Sequence, residues 1–194
     1  MIDTSVFLFI NGLAGKVRVI DEFFKGVSND YFPLITGCLV LIWLWFSAHD
    51  SLQREKDQRM VLNSIISIGI VSGFMALVNN FYFRARPFQV LSSDSVNLLF
   101  YKPTDSSFPS NLAAVIFALA IPIFIKNKTY GSFLLALAIL SGFGRIYIGV
   151  HYPLDIIAGA GLGFFAAIVA MGASWVIKPF INLLLSFLQR YHLA

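Results

Sequence analysis

The amino-acid sequence predicts an all-α fold, a polytopic membrane bundle of five to six transmembrane helices, on three observations. Hydrophobic residues make up 58% of the 194 positions and charged residues only 12%, whereas an average soluble domain is about 45–50% apolar and about 25% charged. The mean hydropathy is +0.78. Apolar runs of about 20 residues, the length that crosses a bilayer, recur along the chain. One water-soluble core could not bury this much apolar surface, so lipid must be the solvent for much of the chain.

Five runs are predicted to span the membrane: residues 31–48, 60–79, 110–125, 130–149 and 153–177. Two shorter apolar segments, residues 5–13 and 17–27, precede them, and Asp21, Glu22 and Lys25 interrupt the second. These segments are predicted as interfacial helices or as a short sixth span, and the sequence leaves both alternatives open.

A tail follows the last span. Near one face of a helix it places Phe180, Leu183, Leu184 and Leu188, the pattern of an amphipathic helix on a membrane surface. No polar stretch is long enough to fold by itself, so one integral membrane domain is predicted over residues 1–194. It comprises N-terminal helices at 1–29, core spans at 30–177 and the tail at 178–194.

The alternation of the spans brings the most polar motifs to one membrane face, which we call the site face. Residues 84–87, 109–110 and 145–155 all fall there. Seven basic residues of the loops and the tail are assigned to the opposite face: Arg54, Lys56, Arg59, Lys126, Lys128, Lys178 and Arg190. Outside the motifs, four are assigned to the site face: Lys16, Arg18, Lys25 and Lys102. By the positive-inside rule, the site face is predicted to be extracellular or periplasmic.

Two arginines, Arg84 and Arg86, follow the second predicted span. A guanidinium group is always charged, and its planar fork fits phosphate oxygens in a bidentate way. The alternative is that both side chains only reach toward lipid head groups. The pair by itself does not decide between these two interpretations.

The third predicted span opens with Pro109, Ser110 and Asn111. Serine and asparagine cap the free N–H groups of a helix start, and a helix N-terminus is also a ready site for an anion. Taken alone, Ser110 is better explained as a cap than as a phosphate ligand.

The most informative stretch contains Arg145, His151 and Asp155. A charge such as Arg145, near the end of an apolar span, needs a partner or a water-filled pocket. A carboxylate four residues after His151 can hold one imidazole N–H, which fixes the tautomer and leaves the other nitrogen free to attack. Together with the two earlier arginines, this set predicts a catalytic phosphate site.

Other features exclude several function classes. His49 and His192 are predicted to be interfacial polar residues, and without a cluster of histidines and carboxylates no metal site is expected. Cys38 is the only cysteine, so no intramolecular disulfide can form. The net charge of +4 is spread over short loops, which indicates anionic lipid head groups rather than nucleic acid as the partner.

In this order and between these spans, the three motifs resemble those of the type 2 phosphatidic-acid phosphatase superfamily of membrane lipid phosphatases. The arginine-proline pair at 86–87, the proline-serine pair at 109–110 and the Arg145–His151–Asp155 spacing carry the likeness, over roughly residues 79–163. Residues 83–88 and 107–111 are most similar to the bacitracin-resistance type of undecaprenyl-diphosphate phosphatase.

The resemblance implies a role for each motif residue. His151 would be the nucleophile that forms a phosphohistidine, and Asp155 would orient it. The phosphoryl oxygens would be held by Arg86, Ser110 and Arg145, with help from Arg84. No metal or other cofactor would be required. The partners would be a polyprenyl or other lipid phosphate and membrane lipids, in a bacterial plasma membrane.

Three positions depart from the family pattern. Asn79 stands where many members have a lysine, and Gly144 replaces a serine; each change removes one oxygen-binding contact among several. Leu112 stands where the second motif ends in a histidine that would act as general acid. Leucine cannot transfer a proton, so we expect impaired catalysis. Asp105, in the same loop, is a weak candidate for a substitute acid.

The missing acid affects substrates unequally. A monoester expels a strongly basic alkoxide, whereas a diphosphate expels a much less basic phosphate, so remaining activity should favour diphosphates such as undecaprenyl diphosphate. The main alternative is a catalytically silent phospholipid-binding member of the same scaffold, for which Leu112 is the best argument. A transporter ranks last because the charges gather at one face and no internal repeat is visible.

Overall fold

The computed structural model describes residues 2–191, and within that range the chain forms α-helices and no β-strand. The helices are α1 (Ile2–Asn11), α2 (Arg18–Val27), α3 (Phe32–Phe46), α4 (Ser51–Phe81), α5 (Pro87–Val90), α6 (Asn111–Lys126), α7 (Lys128–Tyr147), α8 (Pro153–Val176) and α9 (Lys178–Arg190). The all-α prediction is confirmed. His192 and the end of the predicted tail lie outside the described residues.

Three helices, α4, α7 and α8, are long and apolar enough to cross a membrane by themselves. The pair α2 and α3 passes the same test together, with a bend of 52° at the break, and so can count as a fourth span. The apolar helix α6 has 16 residues, about 24 Å at 1.5 Å per residue, which is less than the roughly 30 Å of bilayer hydrocarbon. The predicted polytopic bundle is therefore present, with a shorter helix at its centre.

Helix α4 begins nine residues before the predicted span at 60–79, because hydropathy marks where the apolar segment begins and not where the helix begins. Asp50 caps its first turn by accepting a hydrogen bond from the Gln53 N–H at 3.1 Å. Arg59 then pairs with Glu55 one turn earlier, at 2.7 Å. These charged turns extend the helix beyond the apolar segment, to 31 residues in total.

Helix α6 is the centre of the bundle and packs against α4, α7 and α8. It approaches α8 closely at Gly159 and Gly163, where an added Cβ would lie 2.5 Å from the Ser110 carbonyl oxygen and 2.4 Å from that of Ala114. Small residues four apart let helix backbones approach closely in a membrane. This contact holds the start of α6 against the first turns of α8, where two of the predicted motifs lie.

The N-terminal helix α1 lies along the turn between α7 and α8. Asn11 donates hydrogen bonds to the carbonyl oxygens of Asn97 and Tyr147, both at 2.8 Å. At the other end of the helix, Asp3 accepts a hydrogen bond from the Leu154 N–H at 3.0 Å. With ten residues α1 is about 15 Å long, too short to cross a bilayer alone.

Helix α9 buries Ile181 and Leu185 against the bundle and exposes Phe180, Leu183 and Leu184. This division gives the helix an outer apolar face. Its position on a membrane surface stays a prediction.

Candidate active site

A cavity of about 130 Å³ opens where the loops after α4 and α7 meet the start of α6. At about 30 Å³ per water molecule it holds roughly four waters, the size of a small oxyanion. Among the residues that line it are Arg86, Asp105, Leu112, Arg145 and His151. The structure therefore brings together side chains from all three predicted motifs.

The turn after α7 places His151 in this cavity. Gly149 has a φ of +90°, a left-handed conformation that glycine adopts without the steric penalty of a Cβ. The N–H groups of Val150 and His151 both donate to the Arg145 carbonyl oxygen, at 3.2 and 3.4 Å. The turn thus folds back over Arg145, and Pro153 starts α8 immediately afterwards. The His151 side chain is only 4% exposed.

The two ring nitrogens of His151 have different surroundings. Nδ1 lies 2.9 Å from the Ser107 carbonyl oxygen, which can only accept a hydrogen bond, so the proton belongs on Nδ1. The Asp155 carboxylate is farther from Nδ1, at 3.6 Å. Nε2 lies 3.3 Å from Arg86 Nη1, which can only donate. The nitrogen with the free electron pair is therefore Nε2, on the side of the arginines.

The sequence led us to expect Asp155 as the partner of the imidazole N–H. In the structure the nearest acceptor is instead the Ser107 carbonyl, and Asp155 acts on the ring through its charge. Burial lowers the pKa of His151, the Asp155 carboxylate opposes that effect, and the positive charges of Arg86 and Arg145 add to it. The net lowering keeps the imidazole neutral, as a nucleophile requires.

Asp155 is fully buried, and both of its carboxylate oxygens are bound. Oδ2 accepts hydrogen bonds from the Ser107 hydroxyl at 2.5 Å and from the Tyr152 N–H at 2.8 Å. Oδ1 accepts one from Arg84 Nη1 at 2.6 Å. A buried charge is tolerated when it is paired and hydrogen-bonded in this way, so these contacts hold a negative charge beside His151.

Arg84 lies behind Asp155 and is not among the residues that line the cavity. Its Nη1 bonds Asp155 and its Nη2 bonds Asp3, both at 2.6 Å, and its guanidinium stacks 4.2 Å from the centre of the Tyr152 ring. The sequence predicted that Arg84 would help to hold phosphate. Its place in the structure favours a different role, which is to fix the Asp155 carboxylate beside His151.

Arg86 is 3% exposed and spreads its guanidinium over the inner wall of the cavity. Nη1 donates to the Val150 carbonyl oxygen at 3.0 Å, and Nε donates to the Asp105 carbonyl oxygen at 3.1 Å. Nη2 donates to Asp105 Oδ1 at 2.8 Å. The backbone carbonyls thus fix the orientation of the fork that faces Nε2 of His151.

Arg145, equally buried, pairs through Nη2 with Asp30, which lies between α2 and α3. Its buried Nε has no hydrogen-bond partner in the described part of the chain. A buried donor without a partner is unfavourable, and an anion with several oxygens could satisfy it. Asp105 and Asp30 thus occupy some of the hydrogen-bond donors of Arg86 and Arg145, respectively.

Helix α6 begins at the edge of the cavity. Ser110 is buried, and its hydroxyl accepts a hydrogen bond from the Ala113 N–H at 3.5 Å, so it caps the helix. The next residues, Asn111 and Leu112, line the cavity. Leu112 also packs against Ile116 and Ala138. The helix start directs the positive end of its dipole toward this region.

Asn79 and Gly144, which also depart from the family pattern, lie in different surroundings. Asn79 is exposed near the end of α4 and is not among the cavity residues. At Gly144, an added Cβ would lie 2.0 Å from the Ser28 hydroxyl oxygen and 3.1 Å from the Phe24 ring. Helix α2 and the residue after it thus fill the space that a serine at 144 would need.

Sequence reasoning missed several residues of this network: Asp3, Asp30, Tyr101 and Ser107. Tyr101 donates its hydroxyl to Asp30 at 2.5 Å, and this hydrogen bond, together with burial, raises the pKa of Tyr101 to about 12. The available signal for Asp30 was an acidic residue in a short polar break between two apolar segments, near the predicted site face.

Within residues 2–191, no three histidine, cysteine, aspartate or glutamate side chains converge in a way that could hold a metal ion. The positive groups that face the cavity in the described chain are the guanidinium groups of Arg86 and Arg145.

Comparison with known proteins gives three findings. A family model described as the PAP2 superfamily matches residues 60–178. The bacitracin transport permease protein BcrC of Bacillus licheniformis is 29% identical over 167 residues, which cover 86% of this chain and 78% of that protein. The undecaprenyl-diphosphatase BcrC of Bacillus subtilis is 25% identical over 180 residues, which cover 92% of this chain and 88% of that protein.

Among solved structures, the crystal structure of LpxE from Aquifex aeolicus matches with a TM-score of 0.71 at 27% identity. The match covers 89% of this chain and 96% of that one. The similarity therefore extends over nearly the whole bundle, and the family match includes every motif of the candidate site.

Proposed function

The chain belongs to the PAP2 superfamily, and we propose that this membrane phosphatase removes the terminal phosphate of a polyprenyl diphosphate, with undecaprenyl diphosphate as the leading substrate. The family predicted from the three motifs is thereby confirmed. The substrate and the residue roles that follow are the proposal.

The observation that carries the proposal is the buried imidazole of His151, whose Nε2 lies 3.3 Å from Nη1 of Arg86. Nε2 attacks the terminal phosphorus, the bond from phosphorus to the bridging oxygen breaks, and that oxygen leaves with the lipid phosphate. The imidazole becomes a positively charged phosphohistidine, which the buried carboxylate of Asp155 stabilises.

The phosphoryl oxygens need positive partners as their charge develops. Arg86 and Arg145 line the cavity and supply fixed donors, and the first turn of α6 adds the backbone N–H groups of Asn111 and Leu112. Such preorganised donors stabilise a transition state without reorganisation, and in phosphoryl transfer positioning and electrostatics do most of the catalytic work. No step in this scheme needs a metal ion.

Leu112 is the reason to prefer a diphosphate. It lines the cavity at the position of the family histidine, so the leaving group must depart without a proton from that side chain. A phosphate leaves readily as an anion, whereas an alkoxide does not. The B. subtilis relative is named undecaprenyl-diphosphatase, which supports the same choice of substrate.

We place the site on the extracellular or periplasmic face of a bacterial plasma membrane, because of the excess of basic residues in the opposite loops. In this arrangement the lipid tail lies among the helices while the diphosphate reaches the arginines.

The test is phosphate release from undecaprenyl diphosphate by the purified protein in detergent with a chelator present. We expect release that disappears in His151→Ala, together with a phosphohistidine on the parent chain when the reaction is quenched. Activity that survives His151→Ala would refute the mechanism.

Leu112 also favours a second candidate, a phospholipid-binding member without turnover. Undecaprenyl diphosphate that binds to the parent chain, yet yields neither product nor phosphohistidine, would establish that alternative.

A further inference from the structure

We propose that Asp105 is the general base of the second half-reaction, in which water hydrolyses the phosphohistidine. This inference rests on the proposed function and assigns a residue to the step that the first half-reaction leaves unfinished. Leu112 cannot accept a proton, so the attacking water needs another acceptor within the cavity.

Two carboxylates line the cavity, Asp30 and Asp105. Both oxygens of Asp30 are occupied, Oδ1 by Arg145 and Oδ2 by the Tyr101 hydroxyl. Asp105 uses only Oδ1, which accepts a hydrogen bond from Arg86 Nη2 at 2.8 Å. Its Oδ2 makes no hydrogen bond within residues 2–191. Asp105 is therefore the cavity carboxylate with an oxygen free to take a proton.

The Arg86 guanidinium connects this carboxylate to the nucleophile. Nη1 lies 3.3 Å from His151 Nε2, while Nη2 holds Asp105 Oδ1. A phosphoryl group on Nε2 therefore remains beside the same guanidinium fork that positions the carboxylate. The distance between the two groups is set by one rigid, planar side chain.

Asp105 is more exposed to solvent than His151, as a group that takes a proton from water should be. The His151 side chain is 4% exposed, whereas that of Asp105 is 55% exposed. Water must approach phosphorus from the side opposite the bond to Nε2, so the carboxylate that takes its proton must itself be accessible to water. Asp105 lines the same cavity as His151 and is the more accessible of the two side chains to water.

The step balances without any other reactant. The water oxygen forms a bond to phosphorus, and the phosphorus–Nε2 bond breaks with its electron pair returning to Nε2. The water proton passes to Asp105 Oδ2, and inorganic phosphate leaves. Asp105 then returns its proton to solvent, and the neutral imidazole is ready for the next substrate.

The experiment separates the two half-reactions in Asp105→Asn by rapid quench. The amide oxygen can still accept the hydrogen bond from Arg86, but the side chain cannot take a proton. We expect the first release of undecaprenyl phosphate to keep its rate within about threefold. Steady-state phosphate release should fall by about 10²- to 10⁴-fold, the usual contribution of a general base, and phosphohistidine should accumulate.

Two further variants exclude a structural role. Asp30→Asn, the matched change at the other cavity carboxylate, should not accumulate phosphohistidine. In a Leu112→His background the histidine can accept the proton, so adding Asp105→Asn should slow turnover by less than about tenfold.

If Asp105→Asn slows both half-reactions equally, Asp105 only orients Arg86 and the inference is wrong. If the parent chain releases no undecaprenyl phosphate at all, the proposed function itself is wrong. That result differs from equal slowing of both half-reactions, which refutes only the role of Asp105.

Discussion

Both ends of the helical bundle collect cations, but they hold them in different ways. At the end opposite the site, a larger cavity of about 350 Å³ is lined in part by Lys56, Arg59 and Lys126. Arg59 there pairs with Glu55 on its own helix and stays 29% exposed. At the site end, Arg86 and Arg145 are nearly fully buried and pair with acids from distant parts of the chain.

The comparison shows that neither cavity size nor positive charge identifies the site. An exposed pair within one helix contributes only about 0.3–0.5 kcal/mol. Buried arginines must be oriented by several partners, because a loose charge in a dry setting is costly. Fixed donors beside a buried histidine are what the proposed chemistry needs, and of these two cavities the smaller one has them.

Among changes that test the difference between the two ends of the bundle, the largest effect is expected from Leu112→His at the site end. Restoring a proton donor beside His151 should raise turnover of a lipid phosphate monoester by about 10²- to 10⁴-fold. The gain on a diphosphate should be about tenfold or less, because its leaving group needs less help. Leu112→Gln, which is polar but cannot transfer a proton, is the control. No gain on either substrate would contradict the role assigned to this position.

A smaller effect is expected from Arg84→Gln. The change leaves Oδ1 of the buried Asp155 without its charged partner. We expect kcat to fall by about 10- to 100-fold, the usual effect of removing a group that orients a ligand of the active site. KM should change little, because Arg84 does not line the cavity. Arg59→Gln, the matched change at the opposite end, should alter kcat by less than about twofold. Equal effects at the two ends would remove the distinction between them.

The third prediction concerns pH. Burial and the nearby arginines lower the pKa of His151. The imidazole should therefore stay neutral when the pH falls below about 6.5, the ordinary pKa of histidine. Protonation should remove the nucleophile only at lower pH. A histidine NMR titration in detergent, with the signal assigned through His151→Gln, measures this directly. A pKa above 6.5 would show that the site does not favour the neutral ring.

The sequence was sufficient for the features that depend on neighbouring residues. Apolar runs locate the core helices, and their alternation brings Arg86, Arg145 and His151 to the same end of the bundle. The identity of the family also follows from local motifs. The roles of the individual side chains stay proposals, because chemistry is tested only by reaction.

Other features depend on partners far along the chain and could not be predicted. Arg84 lies behind Asp155 because Asp3, 81 residues earlier, holds its other nitrogen. The glycine at 144 is explained by Ser28, and the orientation of Arg145 depends on Asp30, 115 residues away. Hydropathy also located only the apolar segment of α4 and not the charged turns that extend the helix toward its N-terminus.

The double pairing of Arg84 has a consequence for biosynthesis. The chain is made from its N-terminus, so Asp3 and Arg84 both exist before Asp155, which follows Arg84 by 71 residues. A guanidinium that enters a membrane without a counter-charge is unfavourable. Asp3 is therefore the acid that can pair with Arg84 before the segment that carries Asp155 has been made.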